Sequence, residues 1–156
     1  TASAGKVAAC RELGADLVVD YASEDFADAV KAFTGGRGVD VVLDVIGGDY
    51  VARNVASCAS NGRIIQVGVM GSGAAEVNVG ALLMKRVSII GTTLRHRPLE
   101  EKIAITRRVA TELGGFLADG TLRPVIDSRY PLDAIADAHT HMAANANVGK
   151  IIVDVA

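Results

Sequence analysis

Apolar positions in this chain cluster into two runs that are nearly continuous in aliphatic and β-branched residues. The first reads Gly38-Val39-Asp40-Val41-Val42-Leu43-Asp44-Val45-Ile46-Gly47-Gly48. The second reads Gly62-Arg63-Ile64-Ile65-Gln66-Val67-Gly68-Val69-Met70-Gly71-Ser72-Gly73. Such runs suit strands covered on both faces of a parallel sheet. The stretch Asp49 to Ser60 between them is long enough for one crossover helix. In sheets of this kind ligands bind outside the carboxyl ends of the strands, and glycine there lets the backbone approach them closely. A ligand site is therefore indicated before any catalytic residue is found.

The rest of the pattern alternates in the same way. Residues 4–13 read as a helix stopped at Gly14, and Leu17 to Tyr21 as a short strand. Ser23 caps a helix from Glu24 to Phe33, with Ala27, Val30 and Phe33 at helical spacing. Asn61-Gly62 is a turn, residues 69–80 a glycine-rich loop, and Leu82 to Arg86 a short helix. Val87 to Thr93 is another strand. Pro98 opens a long helix through Leu113, closed by Gly114-Gly115. This β-α-β-α-β order predicts an α/β fold with a doubly wound parallel sheet. After Gly120 the character changes. Leu122 to Tyr130 is extended, and Pro131-Leu132-Asp133 opens a helix with Ala134, Ile135, Ala138 and Met142 on one side. A turn at Asn145 to Lys150 precedes a last strand, Ile151 to Val155. These two strands need a sheet partner.

Composition narrows the class. A chain of 156 residues, half of them hydrophobic but only 4% aromatic, predicts one domain with an aliphatic core. The net charge of −2 gives no electrostatic case for nucleic acid or an anionic membrane. No apolar run approaches the ~20 residues of a membrane span, and no stretch resembles a signal peptide. Two distant cysteines, Cys10 and Cys58, suit a reducing cytoplasm. The chain opens without Met on Thr1-Ala2-Ser3-Ala4-Gly5-Lys6, a loop entering a helix with Ser3 as N-cap. The expectation is that it is the C-terminal part of a longer protein.

Candidate chemistry is sparse. The G-x-G-x-x-G loop of dinucleotide sites is absent. Gly71-Ser72-Gly73 follows a late strand and reads as a loop at the ligand crevice. His139 and His141 are two apart on a helix and point to different faces. His96 lies in the basic loop Arg95-His96-Arg97. No Cys cluster joins the histidines, so no metal site is expected. Asp44 is buried by pattern, as a structural carboxylate or a general acid or base. No residue is assigned as catalytic.

The ordered set of motifs resembles the C-terminal half of the zinc-independent quinone oxidoreductases of the medium-chain dehydrogenase/reductase superfamily, especially the p53-inducible branch. The matching strings are Leu13-Gly14-Ala15-Asp16 with Asp20-Tyr21, the run Val39 to Gly48, Asn61-Gly62-Arg63, Leu82 to Arg86, and Arg95-His96-Arg97. Tyr130-Pro131-Leu132 through Asn145 to Ile152 matches as well. The resemblance covers essentially the whole chain. It implies an incomplete Rossmann-type sheet lacking its first strands over residues 1–121, and a segment 122–156 that returns to the catalytic domain. It also implies a zinc-free enzyme and a homodimer joined through edge strand 87–92.

The cofactor argument begins at the amino terminus. NAD enzymes place an acid at the end of the second strand for the ribose 2′-hydroxyl. If Thr1-Ala2-Ser3 is that exit, no acid is present. Ser3 can donate a hydrogen bond there. Lys6 sits near a helix start, where the helix dipole does not favour a cation unless a phosphate compensates it. Tyr21 can cover the adenine side. Read alone, Lys6 is a solvated surface charge and Tyr21 a partly buried strand end. The resemblance assigns Lys6 and Tyr21 to the 2′-phosphate of NADPH. Ile46 and Gly47 are expected near the ribose beside the nicotinamide. Gly68, Val69, Met70, Thr92, Thr93 and Leu94 are expected to frame the nicotinamide itself, although each also reads as ordinary strand-end chemistry. Asn147 reads by itself as a turn residue, and the resemblance puts it near the cofactor.

The implied activity is hydride transfer from NADPH to a quinone or an α,β-unsaturated carbonyl by the full-length protein, with the fragment alone inactive. Two alternatives remain. One is a non-catalytic nucleotide-binding or sensing module on the same fold. The other is a methyltransferase, which needs an acid after its second strand that Thr1-Ala2-Ser3 does not supply.

Overall fold

The computed structural model describes residues 1–155. The chain forms two compact units, Thr1–Arg97 and Pro98–Ala156.

In the first unit a 3-10 turn at Ala4–Lys6 leads into α1 (Val7–Glu12). The helix stops where the sequence predicts. Gly14 takes φ +96°, its N–H donates to the Arg11 carbonyl, and the Ala15 N–H donates to the Cys10 carbonyl. This left-handed glycine cap satisfies two carbonyls the helix leaves open. The predicted strand Leu17 to Tyr21 is reduced to one parallel bridge, Ala2 with Asp20. The Ala2 N–H donates to Val19 and the Tyr21 N–H to Ala2. A strand persists only as far as its ladder has a partner, and here the partner is the short opening turn. Helix α2 (Phe26–Phe33) starts later than predicted, capped by Asp25 instead of Ser23. The Asp25 carboxylate accepts from the Ala27 and Asp28 amides at 2.7 and 3.2 Å, as an N-cap should.

Strand β1 (Val39–Asp44), helix α3 (Tyr50–Ser57), strand β2 (Cys58–Gln66), helix α4 (Val79–Lys85) and strand β3 (Ser88–Gly91) follow. The strands form one parallel sheet in the order β1-β2-β3. β2 begins before the expected turn and carries Asn61 at φ +63° within it, and the register slips between Val39 and Val41. Ile64, Val55, Cys58 and Val87 make the buried core, packed by Val42, Val77, Ala81 and Leu82. The Lys85 ammonium closes the carboxyl end of α3, donating to the carbonyls of Val55, Ala56 and Cys58 at 3.2, 2.6 and 2.9 Å. Among the described residues the outer edge of β1 has no strand beside it, and Val41, Leu43 and Val45 are exposed. A cleft of about 790 Å³ runs along this edge, walled by Leu17, Val19, Phe26, Val30, Val41 and Leu43.

In the second unit α5 (Leu99–Ala118) does not end at Gly114-Gly115. It continues until Gly120, which takes φ +77°, and the Leu122 N–H returns to the Phe116 carbonyl. Two interior glycines cost the helix about 1 kcal/mol each relative to alanine. Neither needs a left-handed backbone, so they weaken the helix without stopping it. Strand β4 (Ile126–Pro131), a 3-10 turn (Leu132–Ala134), helix α6 (Ile135–Ala143) and strand β5 (Lys150–Asp154) complete the unit. β4 and β5 pair in parallel, with α6 as the crossover. They supply the sheet partner the sequence required by pairing with each other.

Candidate functional site at the carboxyl edge of the sheet

The last rung of the three-stranded sheet is Asp44–Gln66–Gly91, and the three chains leave it side by side. At the exit of β1, Asp44 is buried and its carboxylate is fully engaged. One oxygen accepts from the Ile46 and Gly47 amides at 2.6 and 3.1 Å. The other accepts from the Asn54 side chain of α3 at 2.8 Å. This fixes the turn into α3 and leaves Asp44 a structural carboxylate. Gly47 and Gly48 both adopt left-handed backbone, at φ +71° and +55°. A Cβ on Gly47 would lie 3.1 Å from the Ser72 carbonyl, so the loop after β2 packs directly on this turn.

That loop continues the sheet. The Val67, Met70 and Gly71 amides donate to the carbonyls of Asp44, Val45 and Ile46 at 2.9, 3.0 and 2.8 Å. The Gln66 carboxamide adds bonds to the Asp44 and Gly68 carbonyls at 3.3 and 2.7 Å. On the far side, the Thr92 N–H donates to the Gln66 carbonyl at 2.9 Å. Arg97 folds back to donate to the Thr92 hydroxyl and the Thr93 carbonyl. Ile46, Gly47, Gly68, Val69, Met70, Thr92, Thr93 and Leu94 therefore gather along one edge. Val69, Met70 and Leu94 offer exposed apolar side chains there.

The opening turn forms the other part of the candidate site. The parallel bridge between Ala2 and Asp20 sends Ser3 and Tyr21 out side by side. The Ser3 carbonyl accepts from the Lys6 N–H at 2.8 Å, which sets Lys6 one turn further on. The Ser3 hydroxyl makes no capping bond, contrary to its expected N-cap role. Tyr21 and Ile46 line the same cleft, so the opening turn and the exit of β1 share one concavity. Asn147 belongs to the second unit, in the turn before β5, where its side-chain amide donates to the Gly149 carbonyl at 2.8 Å.

Gln66 and Arg97 were missed from the sequence. Their roles come from side chains that reach across neighbouring exits, and no local pattern encodes that. The histidines do not converge. His96 and His139 are exposed. The His141 ring sits 3.0 Å from the Tyr130 hydroxyl and 3.6 Å from the Asp127 carboxylate, binding α6 to β4. Among the described residues no group of three or more His, Cys, Asp or Glu is arranged to hold a metal. Burial pushes the Cys58 thiol up, against the opposing pull of Lys85.

Comparison with known proteins adds a consistent picture. A family model described as zinc-binding dehydrogenase matches residues 13–153. The chain is 28% identical over 155 residues to quinone oxidoreductase-like protein 2 of Rattus norvegicus, covering 97% of the chain and 44% of that protein. It is 30% identical over 141 residues to quinone oxidoreductase of Homo sapiens, covering 90% of the chain and 41% of that protein. The solved structure of an alcohol dehydrogenase from Sinorhizobium meliloti superposes with a TM-score of 0.80 at 30% identity, over 99% of this chain and 42% of that one. The chain thus spans less than half the length of the relatives it matches.

Proposed function

The chain belongs to the zinc-binding dehydrogenase family, and from that premise we propose that it carries part of the cofactor site of an NADPH-dependent quinone reductase. The observation that carries this reading is the shared concavity. Thr1 and Tyr21 line it beside the opening turn, and Asp44, Val45 and Ile46 line it at the exit of β1. Ser3, Lys6 and Tyr21 hold the 2′-phosphate and the adenine side. The Gly47 turn, with Ile46, takes the adjacent ribose. Gly68, Val69, Met70, Thr92, Thr93 and Leu94 shape the slot for the nicotinamide. When bound, the reduced nicotinamide supplies hydride; the protein supplies position and electrostatics. The apolar side chains of Val69, Met70 and Leu94 keep water from the ring, and the backbone groups between them fix its amide.

The acceptor in this reading is a quinone or an α,β-unsaturated carbonyl. Residues 1–121 serve the nucleotide and 122–156 the catalytic part. The working unit is a zinc-free cytoplasmic homodimer joined along residues 87–92, and the 156 residues alone have no turnover.

The test is a titration of the whole protein with NADPH and NADH, before and after Lys6→Ala. The 2′-phosphate pairing predicts that NADPH affinity falls about tenfold, as loss of a hydrogen bond to a charged group should, while NADH affinity is unchanged. Equal affinity for the two nucleotides in the parent protein defeats the reading. Tight NADPH binding without turnover of any quinone or enone favours a sensing module instead.

A further inference from the structure

We propose that Gln66 is a positioning residue of this cofactor crevice, its carboxamide clamping the exit of β2 onto the exit of β1. The inference rests on the functional reading above, and it names a residue that reading does not use. Gln66 stands on the last rung of the sheet, at its centre. Its side-chain nitrogen donates to the Asp44 carbonyl at 3.3 Å and to the Gly68 carbonyl at 2.7 Å. The two acceptors belong to different exits, one at the end of β1 and one on the loop that bears Val69 and Met70. Reversing the amide would set its oxygen against two carbonyl oxygens, so the chemistry fixes which end is which.

The oxygen, Oε1, is buried and has no donor among the described residues. Buried polar atoms are normally paired. A glutamine held here with one end unsatisfied makes its structural contribution through its amide hydrogens. They hold Gly68 in place, and with it the Met70 and Gly71 amides that reach the Val45 and Ile46 carbonyls. The Gln66 carboxamide thus adds a side-chain tie to the backbone bonds that set the spacing of the two exits.

The experiment compares Gln66→Met, which keeps the shape and removes both donors, with Gln66→Glu, which donates only when its carboxyl is protonated. Hydrogen exchange by NMR on the full chain should show the Met70 and Gly71 amides about tenfold faster in Gln66→Met, the loss expected for one hydrogen bond. Ile64 and Ile65 should be unchanged. Affinity of the whole protein for NADPH and NADH should fall equally, because the slot is common to both. In Gln66→Glu the Gly68 and Met70 amide shifts should return toward the parent values on acidification between about pH 8 and pH 5, the range a carboxyl with a raised pKa covers. Unchanged exchange in Gln66→Met, or no acid return in Gln66→Glu, overturns the clamp. Faster exchange with unchanged nucleotide affinity overturns its positioning role. Absence of nicotinamide binding by the parent protein defeats the functional reading alone, and the exchange and shift data then still decide the clamp.

Discussion

A carboxylate buried at the end of a strand is costly unless its lone pairs are used. Asp44 engages both oxygens, with two backbone amides on one and the Asn54 side chain on the other. Asp44→Ala strands those donors in a buried site, so the free energy of unfolding in urea should fall by about 2–3 kcal/mol. Asp44→Asn keeps one acceptor and should lose less. Asp25 offers a second test. The Asp28 amide chiefly, with the Ala27 amide and Arg53, holds its carboxyl below the usual carboxylate range. A group depressed in the folded state adds stability that is complete above its unfolded value, near 3.9, and lost as the pH falls through the folded value. Thermal melts at successive pH values should therefore show acid destabilisation below about pH 4, and Asp25→Asn should make that fall shallower. The choice of Asp25 over Ser23 was not legible in the sequence. Both residue types cap helices, they are two positions apart, and only the backbone path selects between them.

At the scale of elements, the joint between α3, β2 and α4 rests on Lys85. Its ammonium answers three carbonyls at the end of α3, where the helix dipole favours a cation. Lys85→Met keeps the apolar stem and removes the charge. It should destabilise the chain by about 1.5–3 kcal/mol, read as a lower urea midpoint. The next residue, Arg86, takes a left-handed backbone and donates to Asn61, another left-handed residue, at 2.9 Å. None of this could be read from the pattern, because the partners lie about 25 to 30 positions away. The elements themselves were largely legible. β1 and β2 declared themselves through aliphatic runs ending in glycine, and α1 through its glycine cap. Leu17 to Tyr21 has the composition of a strand but not the neighbours. Gly114-Gly115 looked like a stop, yet helix formers follow and the left-handed residue is Gly120. The strand exits of the candidate site were legible because the rule for parallel sheets points to them. The cross-exit bonds of Gln66 and Arg97 were not.

Among the described residues, the three-stranded sheet of the first unit has two free edges. The resemblance suggested strand 87–92 as the edge most open to pairing, and β3 is exposed along its length. The outer edge of β1 also has no paired strand among the described residues, and a cleft lies beside it. The resemblance to the C-terminal half of a longer enzyme made an incomplete sheet foreseeable. Which strand would be left uncovered depends on how the opening turn and residues 17–21 settle, and only the folded chain reveals that.

The bare flank of β1 has a thermodynamic corollary. Side chains that already meet water when the chain is native, such as Leu43 at 70% exposure, contribute nothing further when it unravels. Denaturant sensitivity tracks newly wetted area, and the heat-capacity increment tracks its apolar share. Melting in urea should therefore give a gentle slope for a polypeptide of this length, and calorimetry a small increment. A slope typical of a fully covered protein of 156 residues would mean that this flank is sheltered in solution.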